Sequence, residues 1–295
     1  MYSKDVYDKL REWSEKTLFL LRGLLPRMAP VAQNSRWTTD QRKTLAHLLT
    51  ATARSSEGAL LLTAYAQLWD AEILVRSVTE GTLKFAYLLQ APASFEVRHR
   101  EYSHDLFRIG LLKDHAKYAE LLTVLPDSND EMWRPFKERL LPDAQREEIA
   151  TDYPKSVRGA LENRWGFTGL IGTLARSGDP LFKGITGLAS GYAMASHIVH
   201  ADSLGTSVPL EIDKRSSERR DTLLLAHGTR LMSDVLSCFH IRLAVAYRFI
   251  GHDPGPVEQT QKSIDELRAS FGSVYEEWMS AEYGASSGSQ SEART

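Results

Sequence analysis

Apolar residues recur at intervals of three and four along almost the whole chain, the spacing that places them on one face of an α-helix. The densest such stretch is 66–90, AQLWDAEILVRSVTEGTLKFAYLLQ. At 100° per residue, Asp70, Ser77 and Lys84 fall on one line and form its solvent face. Ala71, Leu74, Val75, Val78, Phe85, Ala86 and Leu89 cover a wide arc to one side, and Trp69, Arg76, Glu80, Leu83 and Tyr87 form a stripe on the other. A helix apolar around most of its circumference is a central one. Arg76 and Glu80 are then expected to be partly buried and, at i,i+4, to pair with each other.

The remaining pattern predicts helices throughout. Val6, Leu10, Trp13, Thr17, Leu20 and Leu24 mark one over 2–25, stopped by Pro26. A loop with an exposed-looking Trp37 follows, then a helix from Thr38–Asp40 to about Arg54, with a break or kink at Ser55, Ser56 and Gly58. A charge-dense outer helix covers 94–124. The span 127–163 carries Pro135, Pro142 and Pro154 and reads as an irregular insertion or lid. Further helices are expected over 164–176, 180–202, 217–250 and 257–279, with 203–217 as a loop around Gly205 and Pro209. No strand alternation, hairpin signal or internal repeat is present. The fold class is all-α: a multi-helix bundle of about eight to ten helices, no sheet, in one domain over 1–280. The tail 284–295, rich in Gly and Ser, is expected to be disordered.

Composition narrows the classes without choosing among them. Of 295 residues, 42% are hydrophobic and 25% charged, and the net charge is −2. These are values of a soluble globular protein with no overall footprint for nucleic acid. The single cysteine, Cys238, excludes an internal disulfide and a cysteine-based zinc site and fits a cytoplasmic location. The longest uncharged stretches, 58–69 and 184–201, read as core helices rather than membrane spans, the first being too short and the second rich in Gly, Ser, Ala and His. No Gly-x-Ser-x-Gly elbow and no phosphate-cradling glycine loop occurs, and no cofactor is implied.

A second polar group lies at 192–202. Tyr192, Ser196 and His200 share one helix face, with His197 to the side and Asp202 at the end. The helix is otherwise made of small residues, which let another helix approach closely. If that partner is 66–90, then Arg76, Glu80, Tyr192, Ser196 and His200 meet in one pocket, and these are the candidate ligand-binding residues. Two segments carry a resemblance. Ala71-x-x-x-x-Arg76-Ser77-x-x-Glu80, followed by Tyr87-Leu88-Leu89, and Tyr192-x-x-x-Ser196-x-x-x-His200 are similar in order and spacing to the uncharacterised bacterial helical family known as domain of unknown function 5677. The resemblance implies a helical fold and marks Arg76, Glu80, Ser196 and His200. It implies no activity and no substrate.

Several readings of this cluster stay open: a hydrogen-bond network that specifies helix packing, a pocket for an unknown small ligand, or a metal site using His197, His200, Asp202 and Glu80. The last lacks the Glu-x-x-His pairs of bundle metal sites. The alternative function is a metal-independent HEPN-like ribonuclease, a toxin or phage-defence effector, with RNA as its substrate. Such enzymes carry an Arg and a His separated by four to six residues, the Arg holding phosphate and the His acting as acid or base. Arg220 and His227 fit, at the start of a long helix, but Arg42/His47, Arg98/His104 and Arg108/His115 have similar spacings, so the motif is weakly specific. Self-association through an apolar helix face is a further expectation.

Overall fold

Helix formation follows the caps and the apolar stripes closely. The computed structural model describes residues 3–127 and 130–284. The tail expected to be disordered lies, from residue 285 on, outside the described residues. Within the span read as one helical domain, the described residues pack as two compact units, 3–89 with 174–284, and 90–127 with 130–173. Among the described residues there are thirteen helices of six residues or more and no strand.

The larger unit begins with α1 (Lys4–Leu24), capped by Ser3, whose hydroxyl accepts from Val6 N–H, and buried along Val6, Leu10, Trp13, Leu21 and Leu24. The loop beyond Pro26 is mostly helical turn, and Trp37 is buried rather than exposed. Its indole N–H donates to Val31 O (2.7 Å) and its ring stacks on Phe249. α2 (Thr39–Ala64) opens with a capping box between Thr38 and Gln41. It runs straight through 55–58, where a break was expected. The Ser56 hydroxyl donates to Thr52 O and so is satisfied within the helix. A Cβ at Gly58 would lie 3.0 Å from Leu74 Cδ1, so the glycine admits the next helix rather than ending this one. The true break is at Ala66, with φ of 55°. Ala66 N–H bonds Thr63 O and Gln67 N–H bonds Leu62 O, both at 2.9 Å, the paired bonds of a Schellman cap.

α3 (Leu68–Leu89) is the central helix that the apolar pattern predicts. It packs antiparallel to α2: Gly58 meets Leu74 while Thr52 fills the space over Gly81.

The smaller unit holds α4 (Phe95–Arg100), a π-helical stretch (Glu101–Asp105), α5 (Leu106–Val124), α6 (Asp143–Asp152), α7 (Lys155–Trp165) and all but the last two residues of α8 (Phe167–Ala175). The π stretch occurs where Glu101 turns inward to accept from Trp165 Nε1–H (2.9 Å) and Arg164. Inside 127–163 the prolines start helices as well as interrupting them: Pro142 and Pro154 are the N-cap residues of α6 and α7. Ile109, Ile149, Tyr153 and Leu161 form this unit's core.

The larger unit resumes with α9 (Leu188–Val199), α10 (Ser203–Asp213), α11 (Ser217–Ile250), α12 (Gly255–Ala269) and α13 (Val274–Tyr283). The segment 180–187 is two 3-10 turns around Gly184 (φ 82°), so the expected helix starts only at Leu188. The expected loop over 203–217 is mostly helical. The Asp202 carboxylate accepts from Gly205 N–H (2.9 Å), and a Cβ at Gly205 would lie 2.3 Å from His197 O. Glycine is thus what allows α10 to start against the end of α9, and Pro209 is tolerated inside it. The last expected helix divides at Gly272 (φ 74°) into α12 and α13. These divisions raise the helix number above eight to ten.

α11 runs parallel to α3. Glu72 meets His227, Thr79 meets Cys238 (3.9 Å) and Thr82 meets Arg242, so register advances on both helices together. α11 also runs parallel to α1, with Leu10 over Gly228 and the Ser14 hydroxyl 3.7 Å from Met232 Sδ. No helix among the described residues is long and apolar enough to cross a membrane.

Candidate functional site

Glu72 stands in the second turn of α3 and is 1% exposed, the most deeply buried charge of the helix. It reaches this position because 72, 75, 79 and 82 share one helical face, and Val75, Thr79 and Thr82 are buried with it. A carboxylate there requires partners, and α11 supplies them. His227 Nε2 lies 2.8 Å from Glu72 Oε2, and Arg230 Nη2 donates to the same oxygen. Arg230 Nη1 donates in turn to Asp234 Oδ2 at 2.9 Å. His227, Arg230 and Asp234 are spaced at three and four residues and so lie on one side of α11.

The electrostatics follow from burial and charge. Burial opposes ionisation of Glu72, but the His227 hydrogen bond and the Arg230 charge together outweigh it and hold its pKa below the ordinary value. Burial pulls the His227 pKa down, against the raising effect of Glu72. A neutral imidazole bonded to a carboxylate through Nε2 carries its proton there, which leaves Nδ1 as an acceptor. Burial disfavours the Arg230 charge, but Glu72 and Asp234 raise its pKa above normal. Asp234 is pushed up to about 6, by burial first and by the neighbouring Glu72 charge, with Arg230 pulling the other way.

This cluster runs from a buried carboxylate and imidazole, Glu72 and His227, to a partly exposed guanidinium, Arg230, that forms a wall. A cavity of about 620 Å³ is lined by Trp69, Met194, Val208, Leu223 and Trp278 together with His227 and Arg230. The Trp69 ring lies 4.9 Å from the His227 ring. A second cavity of about 420 Å³, lined by Asp234, His240 and Arg268 among others, shares Arg230, Ser190 and Gly191 with the first. Gly191 keeps α9 close: a Cβ there would lie 2.6 Å from Arg230 Nη1 and 2.9 Å from Glu72 Oε1. Gly191→Val is therefore expected to displace Arg230 and to cost about 1–3 kcal/mol, measured by urea unfolding.

The residues singled out by sequence divide into two groups. Arg76, Glu80 and Tyr192 do come together, one turn further along α3. Tyr192 OH donates to Glu80 Oε1 (2.9 Å), Arg76 Nη2 donates to Tyr192 OH (3.1 Å), and Arg76 Nε lies 3.4 Å from Glu80 Oε1. The Arg76 guanidinium also lies 4.6 Å from the Tyr192 ring centre. Their side chains are 20% (Arg76) and 32% (Glu80) exposed, so the carboxylate of this cluster is half-open where Glu72, at 1%, is buried. The 40° advance per four residues turns Arg76 and Glu80 away from α11 toward α9 and solvent. Ser196 is half-buried one turn beyond Tyr192, and His200 is exposed past the end of α9. Neither makes a hydrogen bond to Arg76 or Glu80. His197 pairs with Asp202 (2.6 Å) beside the α10 cap.

Arg220 and His227 lie seven residues apart on α11, a rise of roughly 10 Å. His227 is turned into the Glu72 cluster, and Arg220 Nε lies 3.8 Å from Asp221 Oδ1. Glu72, Arg230 and Asp234 were missed. Their signal was present: Arg230 and Asp234 form an i,i+4 pair inside the apolar run TRLMSDVL, and Glu72 sits between the two apolar stripes of α3, nearly opposite the Asp70–Ser77–Lys84 line. Among the described residues no group of three or more His, Cys, Asp or Glu is placed to hold a metal ion.

Comparison with curated proteins and with solved structures finds no match. A family model does match, and it shows that the chain belongs to the family of unknown function DUF5677 over residues 42–215, a span that takes in Glu72, Arg76, Glu80 and Tyr192 and stops short of His227, Arg230 and Asp234.

Proposed function

We propose that the protein binds a small, mainly apolar molecule in the cavity of about 620 Å³, with the polar end of that molecule at His227 and Arg230. One observation carries the reading: His227 and Arg230 belong both to the Glu72 network and to the cavity wall. A network that only held helices together would have no need of an apolar, aromatic-lined space beside it. Large concave sites with a few convergent polar groups are the usual form of small-molecule pockets. Neutral His227, with Nε2–H given to Glu72, offers Nδ1 to a ligand donor such as a hydroxyl or amide. Arg230, shared between two carboxylates, is held in place and pre-organised. The Arg76–Glu80–Tyr192 cluster fixes α9 on α3 and so fixes Gly191 and Ser190 at the cavity.

The test uses Nile red, a neutral apolar dye whose fluorescence rises on burial. It is expected to bind the full-length protein, and Ala226→Trp, which fills the cavity from α11, is expected to weaken binding about tenfold or more with little change in Tm. Equal dye binding by the variant and the original protein would overturn the reading.

A further inference from the structure

Arg242, on the buried face of α11, is 2% exposed. Its Nη1 donates to Thr82 Oγ1. A guanidinium carries five N–H donors and a full charge, and among the described residues no carboxylate lies within ion-pair distance of this one. Burial without an anion pulls its pKa down to about 10. Cys238, one turn earlier, does not supply the charge, because burial pushes its thiol pKa up and keeps it neutral. An unpaired buried cation is costly, and proteins rarely keep one without a partner.

A cavity of about 490 Å³ opens onto Arg242. Leu25, Met28, Leu49, Ala53 and Phe239 make its walls. Two further charges line it, and they do not cancel Arg242. Glu57 is already paired with Arg22 at 2.7 Å, and Arg54 is a second, exposed cation. None of these residues lines the His227 cavity.

We propose that this cavity is a second binding site, for a carboxylate carried on an apolar body, with the carboxylate on the Arg242 guanidinium and the body among Leu25, Met28, Leu49 and Phe239. One buried cation balances one negative charge, and the guanidinium fork matches a carboxylate in shape. The apolar walls disfavour a small hydrated anion, which would leave them in contact with water or with charge.

Calorimetric titration of octanoate and of octanol into the full-length protein tests the assignment. Octanoate is expected to bind, and Arg242→Met to weaken it by about tenfold or more while leaving octanol unchanged. Methionine replaces a buried ion with an unbranched apolar side chain, shorter than arginine, a change that often leaves stability unharmed. Ala53→Trp, which fills the cavity from α2 and leaves Arg242 in place, is expected to abolish octanoate binding with little change in Tm. If Arg242→Met fails to fold, this second variant decides. No binding of octanoate to the original protein, or equal binding by either folded variant, would overturn the proposal.

Discussion

Glu72→Ala is expected to lower stability by about 2–3 kcal/mol: it removes the buried end of an ion pair whose other end, Arg230, is 39% exposed and can turn to water. Two groups lose their partner at once. Arg230 keeps only Asp234, whose own charge is disfavoured by burial, and His227 loses the carboxylate that fixes its proton on Nε2. For a unit of this size the loss corresponds to a fall in Tm of roughly 4–12 °C. Urea unfolding of Glu80→Ala supplies the contrast. Glu80 is 32% exposed and its Arg76 pair is long, so its removal should cost about 1 kcal/mol or less. Equal losses at the two positions would contradict the placement of Glu72 as the buried charge. The triple change Glu72→Leu, His227→Leu, Arg230→Leu carries the argument further. Apolar replacement of a whole buried ionic group is often neutral or stabilising. If the triple variant recovers stability but no longer binds Nile red, the cluster is retained for its ligand and not for the fold.

That contrast also marks how far the sequence could be read. The all-α class and the central place of α3 were legible because both rest on periodicity, which is a local property. The Arg76–Glu80 pairing was legible for the same reason, being one helix turn on α3, whereas the place of Tyr192 beside them, 112 residues from Glu80, rested on the expectation that a small-residue helix packs against α3. The Glu72 cluster was not, since Glu72 lies 155 residues or more from its partners and their meeting depends on the parallel register of α3 and α11. On α3 the pattern does separate the two glutamates, since Glu72 lies nearly opposite the Asp70–Ser77–Lys84 line and Glu80 beside it, but it does not say which helix meets the Glu72 face. The helix break at Ala66 was hidden for another reason. A Schellman cap usually announces itself by a glycine, whereas here an alanine takes the left-handed position and the nearest glycine, Gly58, serves packing instead. In α10 the glycine and proline read as loop residues, yet Gly205 is present for a close approach to His197 O.

The pH dependence of stability is expected to be set by two opposing groups on α11. Asp234 has its folded-state pKa raised from 3.8 to about 6. Between these values the unfolded chain has lost the proton and the folded chain still holds it, so stability falls as pH rises through this window and is level above it. A shift of about two units at about 1.4 kcal/mol each makes this fall roughly 2–3 kcal/mol. His227 has the opposite sign. Its folded-state pKa is below 6.5, so the unfolded chain takes up a proton first as pH falls, and stability is lost below about pH 6.5. Glu72, held below 4.5, adds a further loss at lower pH. Asp234→Asn keeps an acceptor for Arg230 and removes the titration. In urea unfolding at about pH 8 the variant is expected to be more stable than the original protein by roughly 2 kcal/mol, and the two should converge near pH 4. A variant less stable at pH 8 would mean that the ionised Asp234–Arg230 pair is worth more than its burial costs. The result bears on the ligand site as well, because Arg230 divides its donors between Glu72 and Asp234. When Asp234 takes up its proton, Arg230 loses one of two negative partners, and its claim on a ligand acceptor in the cavity becomes stronger.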